Sequence, residues 1–197
     1  MNARESREQS HWHDTATLVA MAMAIPTLTL STGAAMPQLA FGTGTTWFEG
    51  DASADAATDD SADSQLHRCV SAALNAGYRH LDCAEMYGTE AKVGQALVRW
   101  LQETGSDRAD VFITSKVWRN CLDVGAACRA SLTRLGLEQL DLYLLHTPVS
   151  FMDFVEPTER DATQRKIWAA MEALVEQGLV KAIGVSNFSA AELDGLL

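Results

Sequence analysis

Hydrophobic positions along the chain change period in a regular way. Leu28-Thr-Leu30, then a turn at Ser31-Thr-Gly33, then Pro37-Gln-Leu-Ala-Phe-Gly42 read as two strands around a glycine-containing turn. Leu66, Val70, Ala73 and Leu74 stand at helical spacing before Gly77, and Tyr78 to Asp82 follows as a short strand. Val93, Leu97, Val98 and Leu101 mark a second helix that ends near Gly105, and Val111 to Ser115 is the next strand. Val124, Cys128, Ser131, Leu132 and Leu135 predict a third helix up to Gly136, followed by the apolar run Leu140 to Leu145. Ile167, Met171, Leu174 and Val175 give a fourth helix up to Gly178, and Val180 to Val185 a further strand. Ser189 with Glu192 forms an S/T-x-x-E start signal for one more helix.

Strands separated by single helices must run parallel, because each crossover returns the chain to the same end of the sheet. Two closures satisfy that pattern: an open doubly wound sheet, or a (β/α) barrel with its site at the C-terminal ends of the strands. The glycine-rich segment Gly42-Thr-Gly44-Thr-Thr-Trp47 lacks the third glycine of a dinucleotide fingerprint and runs into an acidic stretch instead of a helix. Residues 1–24 show no clear period and read as an N-terminal extension, with 25–197 as one domain. Within that domain, residues 48–64 are acidic and nearly devoid of large apolar groups, which predicts a flexible loop.

The chain has 197 residues, 47% of them hydrophobic and 21% charged, enough to bury one core. Lys and Arg number 15 against 26 Asp and Glu, a net charge of −11 that repels phosphate backbones and anionic lipid, so nucleic acid and membrane surfaces are not expected partners. Leu18 to Ile25 is the one stretch resembling a secretory leader, but Glu5, Glu8 and Asp14 precede it where basic residues belong. Cys69, Cys83, Cys121 and Cys128 share no CxxC pair or repeated spacing, which points to reduced thiols in a cytoplasmic protein.

Chemistry enters where the strands end. Asp82, Lys116, His146, and Ser186 with Asn187 close successive strands, and in a barrel those positions converge on one mouth. Tyr87 follows Asp82 by five residues, in a loop short enough to reach the same mouth. A phenol donates a proton poorly near neutral pH unless a cation stabilises its anion. An ammonium about 4 Å away contributes about 4 kcal/mol at an effective dielectric of 20, so Lys116 can activate Tyr87. Asp82 would keep that lysine charged, and His146 would donate a hydrogen bond to orient a carbonyl oxygen. The set suits protonation of a carbonyl whose carbon accepts a hydride from a bound cofactor. A metal-dependent hydrolase built on His80-x-Asp82 lacks further histidines at the strand ends.

These segments resemble the aldo-keto reductases. The likeness is carried by Met36-Pro-Gln-Leu-Ala-Phe-Gly-Thr43, by Ala76-Gly-Tyr-Arg-His-Leu-Asp-Cys-Ala-Glu-Met-Tyr-Gly-Thr-Glu-Ala-Lys-Val-Gly94, and by Phe112-Ile-Thr-Ser-Lys-Val-Trp118. Leu140-Asp-Leu-Tyr-Leu-Leu-His146 and Gly178-Leu-Val-Lys-Ala-Ile-Gly-Val-Ser-Asn-Phe188 follow in the family's order. The resemblance implies an α/β fold, a (β/α)8 TIM barrel represented here by the N-terminal hairpin and about five βα units, with three strands and a terminal loop beyond Leu197. It implies NADPH as cofactor and small aldehydes or ketones as substrates. Tyr87 would be the general acid, Lys116 and Asp82 its tuning partners, and His146 the residue that orients substrate. Ser186 and Asn187 would hold the nicotinamide carboxamide, Gly42 and Thr43 would lie near the ribose, and Trp47 and Trp118 would wall the substrate pocket. The parts implied to lie beyond Leu197 carry cofactor contacts in relatives, so a catalytically silent member acting in interaction or regulation is the alternative expectation.

Overall fold

The structure is a computed structural model that describes residues 25–44, 65–194 and 196. The N-terminal extension 1–24, the acidic loop 48–64 and Trp47 lie outside those residues.

The chain opens with an antiparallel hairpin of β1 (Thr27–Thr29) and β2 (Ala35–Pro37), which pair Thr27 with Pro37 and Thr29 with Ala35. Gly33 takes φ +84° in the turn, a left-handed conformation that costs glycine little. The pattern predicted one strand over Pro37 to Gly42; the structure divides it. Gln38 donates its N–H to the Pro26 carbonyl, and the chain then turns so that β3 (Phe41–Gly42) can enter a separate parallel ladder. A single strand cannot serve both sheets, because the hairpin and the parallel ladder call for different directions.

The elements that follow are α1 (Gln65–Asn75), β4 (His80–Asp82), α2 (Glu90–Thr104), β5 (Phe112–Val117), α3 (Val124–Leu135), β6 (Leu142–Leu145), α4 (Arg160–Glu176), β7 (Ile183–Val185) and α5 (Ala190–Asp194). Strands β3 to β7 pair in chain order and all run parallel. A doubly wound sheet reverses its strand order at a switch point; this order never reverses, which is the winding of a barrel.

Register decides which side chains share a face. Asp82 pairs with Thr114 and Lys116 with Leu144, so Lys116 stands two residues farther along its strand than the partner of Asp82, and His146 two farther again. An even offset keeps all three side chains on one face of the sheet. The opposite face carries Leu81, Ile113, Val117, Tyr143 and Leu145, each with no exposed surface, packed into a core with Leu74, Val93, Leu97, Leu135, Met171 and Leu174 from the helices. Val98 departs from expectation, being 41% exposed. The stripe that packs inward is Val93, Ala96, Leu97 and Trp100, and at about 100° per residue Val98 lies far round the helix from Val93.

Helix α2 meets the end of α3 at Gly94, which lies against the Leu135 backbone. A Cβ built there would stand 2.4 Å from the Leu135 carbonyl oxygen and 2.8 Å from its Cα, backbone atoms that cannot swing aside. Gly94→Ala is therefore expected to destabilise the fold by about 1–3 kcal/mol. A denaturant melt checks this, and an unchanged midpoint would mean that the two helices separate at little cost.

Candidate active site

The backbone hydrogen bonds of the sheet continue one residue past β3, β4, β6 and β7. Thr43 donates its N–H to the Asp82 carbonyl at 3.0 Å, Cys83 to Thr114, His146 to Val117 and Ser186 to Leu145, each of these three at 2.9 Å. The residues at the mouth are thus held by the ladder itself. Tyr87 sits on a short 3-10 turn, Glu85–Tyr87, that closes with the Tyr87 N–H on the Ala84 carbonyl at 3.1 Å.

Lys116, 5% exposed, lies at the centre. Its ammonium donates to Asp82 Oδ1 at 2.6 Å, to the Cys83 carbonyl at 2.9 Å and to the Tyr87 hydroxyl at 3.3 Å. An ammonium has three protons, so these partners use all of them and fix its direction. The same nitrogen is 4.9 Å from the centre of the Tyr87 ring. Gly44 lies against the other features of that ring: a Cβ on Gly44 would come within 2.5 Å of Tyr87 Cζ, so only glycine lets the chain pass so near.

His146, 7% exposed, sets its ring edge-on to Tyr87 with centroids 5.6 Å apart and planes at 83°. Burial, and next the nearby Lys116 charge, push its pKa from 6.5 down to about 4, against a smaller opposing pull from Asp82. The imidazole is neutral at physiological pH. Its Nδ1 is buried without a hydrogen-bond partner among the described residues, which favours the tautomer with the proton on Nε2, since an unpaired buried donor is costly. A neutral Nε2–H can orient an oxygen acceptor, and the phenol held beside it by Lys116 can protonate that acceptor.

The remaining expected residues divide into groups. Asn187 takes φ +62°, in the left-handed region, and its Nδ2 donates to the His146 carbonyl at 2.8 Å and to Ser186 Oγ at 3.1 Å. Ser186 and Asn187 are therefore tied to the strand that carries His146. Gly42 is exposed, with nothing within 4 Å of where a Cβ would stand. Thr43 is buried, and its hydroxyl faces inward, donating to the Asp82 carbonyl at 3.1 Å and accepting from Thr89 Oγ1 at 3.2 Å. Trp118, half-buried at the end of β5, stacks under the Arg119 guanidinium at 4.8 Å.

Sequence reasoning missed Glu85. One of its oxygens accepts the Trp118 N–H at 3.1 Å and the other accepts from Asn120 Nδ2, so it binds the turn carrying Tyr87 to the loop carrying Trp118. Its place two residues before Tyr87 was the available signal. The carbonyl of Cys83 was also missed, because no side-chain pattern marks a backbone acceptor. His80, weighed beside Asp82 as a metal pair, instead contacts the Pro37 carbonyl at 3.0 Å and Thr114 Oγ1 at 2.8 Å. Among the described residues no group of three or more His, Cys, Asp or Glu could hold a metal ion, and no helix is long and apolar enough to cross a membrane.

With this geometry in view, the likenesses to known proteins are informative. The family model of the Aldo/keto reductase family matches residues 39–196. Aldo-keto reductase family 1 member A1-A of Danio rerio is 45% identical over 184 residues, covering 87% of this chain and 52% of that protein. A crystal structure of an aldo/keto reductase from Brucella melitensis superposes with a TM-score of 0.66 at 35% identity, over 88% of this chain and 58% of the other. An aldo-keto reductase of Bombyx mori in complex with NADP gives a TM-score of 0.69 at 32% identity, over 88% and 54%. The chain spans about half the length of the curated relatives it matches.

Proposed function

The chain belongs to the aldo/keto reductase family, and from that premise we propose that it takes part in the NADPH-dependent reduction of small aldehydes and ketones to alcohols, with Tyr87 as the general acid. The observation that carries this reading is the Lys116 ammonium, 3.3 Å from the Tyr87 hydroxyl and fixed there by Asp82 and the Cys83 carbonyl, beside a neutral His146.

The residues present fit the nicotinamide end of the cofactor. Gly42 leaves open space at the end of β3 where a flat group can lie, and Ser186 with Asn187 stands at the end of β7. Gly42 and the Thr43 backbone would follow the ribose, since the Thr43 hydroxyl is engaged inward; Ser186 and Asn187 would hold the carboxamide. When bound, NADPH supplies a hydride to the carbonyl carbon. His146 Nε2–H donates to the carbonyl oxygen and aligns it. Tyr87 passes its proton to that oxygen as the C=O π bond becomes C–H and O–H. Lys116 stabilises the phenolate that remains, which regains a proton from solvent. Trp118, positioned by Glu85, and Trp47 would form the apolar wall against the substrate. The cytoplasmic setting inferred from the cysteines belongs to the same proposal.

Titrating the protein with NADPH and following fluorescence, then adding a small aldehyde and following loss of the reduced cofactor, tests the reading. Saturable binding with turnover is the expected result. Absence of binding would overturn it and favour the silent, interaction-type alternative.

A further inference from the structure

A buried carboxylate behind the site takes no part in the chemistry above. Glu90, 1% exposed, opens α2. One of its oxygens accepts from Ser115 Oγ at 2.5 Å, and the other lies 2.7 Å from both Nε and Nη2 of Arg134 on α3. Arg134 Nη2 is also 3.2 Å from Ser131 Oγ. Taking a carboxylate out of water costs several kcal/mol, and a well-packed apolar side chain is often no less stabilising than a buried ion pair. The position of this one suggests what else it does.

Ser115 immediately precedes Lys116 on β5. Glu90 is three residues beyond Tyr87 and adjoins Thr89, whose hydroxyl donates to Thr43, which in turn donates to the Asp82 carbonyl. Asp82 closes the circuit by accepting from Lys116. A ring of contacts therefore runs from Lys116 through Ser115, Glu90, Thr89, Thr43 and Asp82 back to Lys116, with Tyr87 attached at the start of α2. The Ser115–Glu90 bond gives the side of β5 opposite Lys116 a directional link to α2, where apolar packing is non-directional.

Accordingly we propose that Glu90 is a positioning residue: its hydrogen bond to Ser115 locks β5 to the start of α2 and so sets the separation of Lys116 Nζ and Tyr87 Oη. The proposal rests on the reductase reading for its kinetic consequence and on geometry alone for its structural one.

Two variants separate positioning from bulk stability. Ser115→Ala removes only the link to β5 and keeps the Glu90–Arg134 pair. Glu90→Gln keeps an acceptor for Ser115 and loses the ion pair. Ser115→Ala is expected to lower kcat about tenfold, since small misplacements of reacting groups are costly, with KM and NADPH affinity unchanged and only a small drop in melting temperature. Glu90→Gln should melt lower yet keep kcat within about twofold. Acylation of lysines by acetic anhydride, read by peptide mass spectrometry, gives a readout independent of turnover. Lys116 should react several-fold faster in Ser115→Ala and as in wild type in Glu90→Gln, with the exposed Lys166 as internal reference. Should Ser115→Ala not fold, Glu90→Met, which loses the acceptor at similar volume and melts lower for want of the ion pair to Arg134, carries the same expectations for kcat and Lys116 reactivity. Wild-type kcat and Lys116 reactivity in the link-breaking variant would overturn the proposal while leaving the reductase reading intact. Faster Lys116 acylation in a protein that reduces no carbonyl would sustain positioning and sink the reductase reading.

Discussion

Tyr87→Phe is expected to lower carbonyl reduction by about 10²–10⁴-fold, the range that a positioned general acid contributes, while NADPH binding and the melting transition stay close to wild type. The separation follows from the local geometry. The substitution deletes one oxygen 3.3 Å from Lys116 Nζ and leaves the ring in place beside His146 and against the Gly44 backbone. Lys116 keeps its bonds to Asp82 and to the Cys83 carbonyl, so no buried charge loses its partner. Replacing Lys116 would be a poorer test, because it strands the Asp82 carboxylate and mixes stability with chemistry. Steady-state kinetics on the variant, with cofactor fluorescence as the binding control, decides the matter. Turnover within tenfold of wild type would remove Tyr87 from the role of acid.

What could be read ahead of the structure followed from periodicity and alternation. The α3 stripe of Val124, Cys128, Ser131, Leu132 and Leu135 is buried as its spacing indicates, and Ser189 and Glu192 form the reciprocal cap expected of them, with the Ser189 N–H donating to Glu192 at 2.8 Å. Asp82, Lys116 and His146 were legible because a polar residue ending an apolar strand has few reasons to be there, and parallel strands bring such ends together. Their common face depended on register, which the sequence does not state: the two-residue stagger between neighbouring strands emerges only when the ladders are paired. Periodicity alone left barrel and doubly wound sheet both open; the family resemblance implied the barrel, and the unreversed strand order bears it out.

The illegible parts share a cause. Glu90 opens a helix, where an acid is ordinarily a solvated dipole partner, and only tertiary packing with Arg134 and Ser115 turns it inward. Thr43 was placed near the ribose by the family resemblance; that its hydroxyl ties Asp82 to Thr89 had no local signal. In both cases local sequence fixed the residue's position on the backbone, and contacts from more than 20 residues away fixed its partner.

The largest stability effect is expected at the other end of the sheet, in Asp141→Ala. Asp141 precedes β6 and is buried; it accepts from Arg108 Nη2 at 2.8 Å, from the Ile113 N–H at 2.8 Å and from Lys181 Nζ at 2.7 Å, so one carboxylate ties together the starts of β5, β6 and β7. Removing it leaves a buried amide unpaired and two cations without their common partner, a loss of about 3–5 kcal/mol by analogy with broken buried pairs. Arg108 and Lys181 are partly exposed and can turn to water, which places the expectation at the lower end of that range. Asp141→Asn, which can still accept from Ile113, should lose less. The effect should also depend on pH. Burial pushes the Asp141 carboxyl up, but Lys181, Arg108 and the Ile113 N–H together pull it farther down, to a net position below its ordinary 3.8. A carboxyl with a lower pKa folded than unfolded adds stability that is complete above the unfolded value and drains away as pH falls through the folded one. The gap between wild type and Asp141→Ala should therefore be level from about pH 5 to 8 and shrink below about pH 4. Denaturant melts across that range check both parts: a negligible gap at neutral pH would remove Asp141 as the tie among the three strands, and a gap that persists undiminished in acid would mean that its charge is not what holds them.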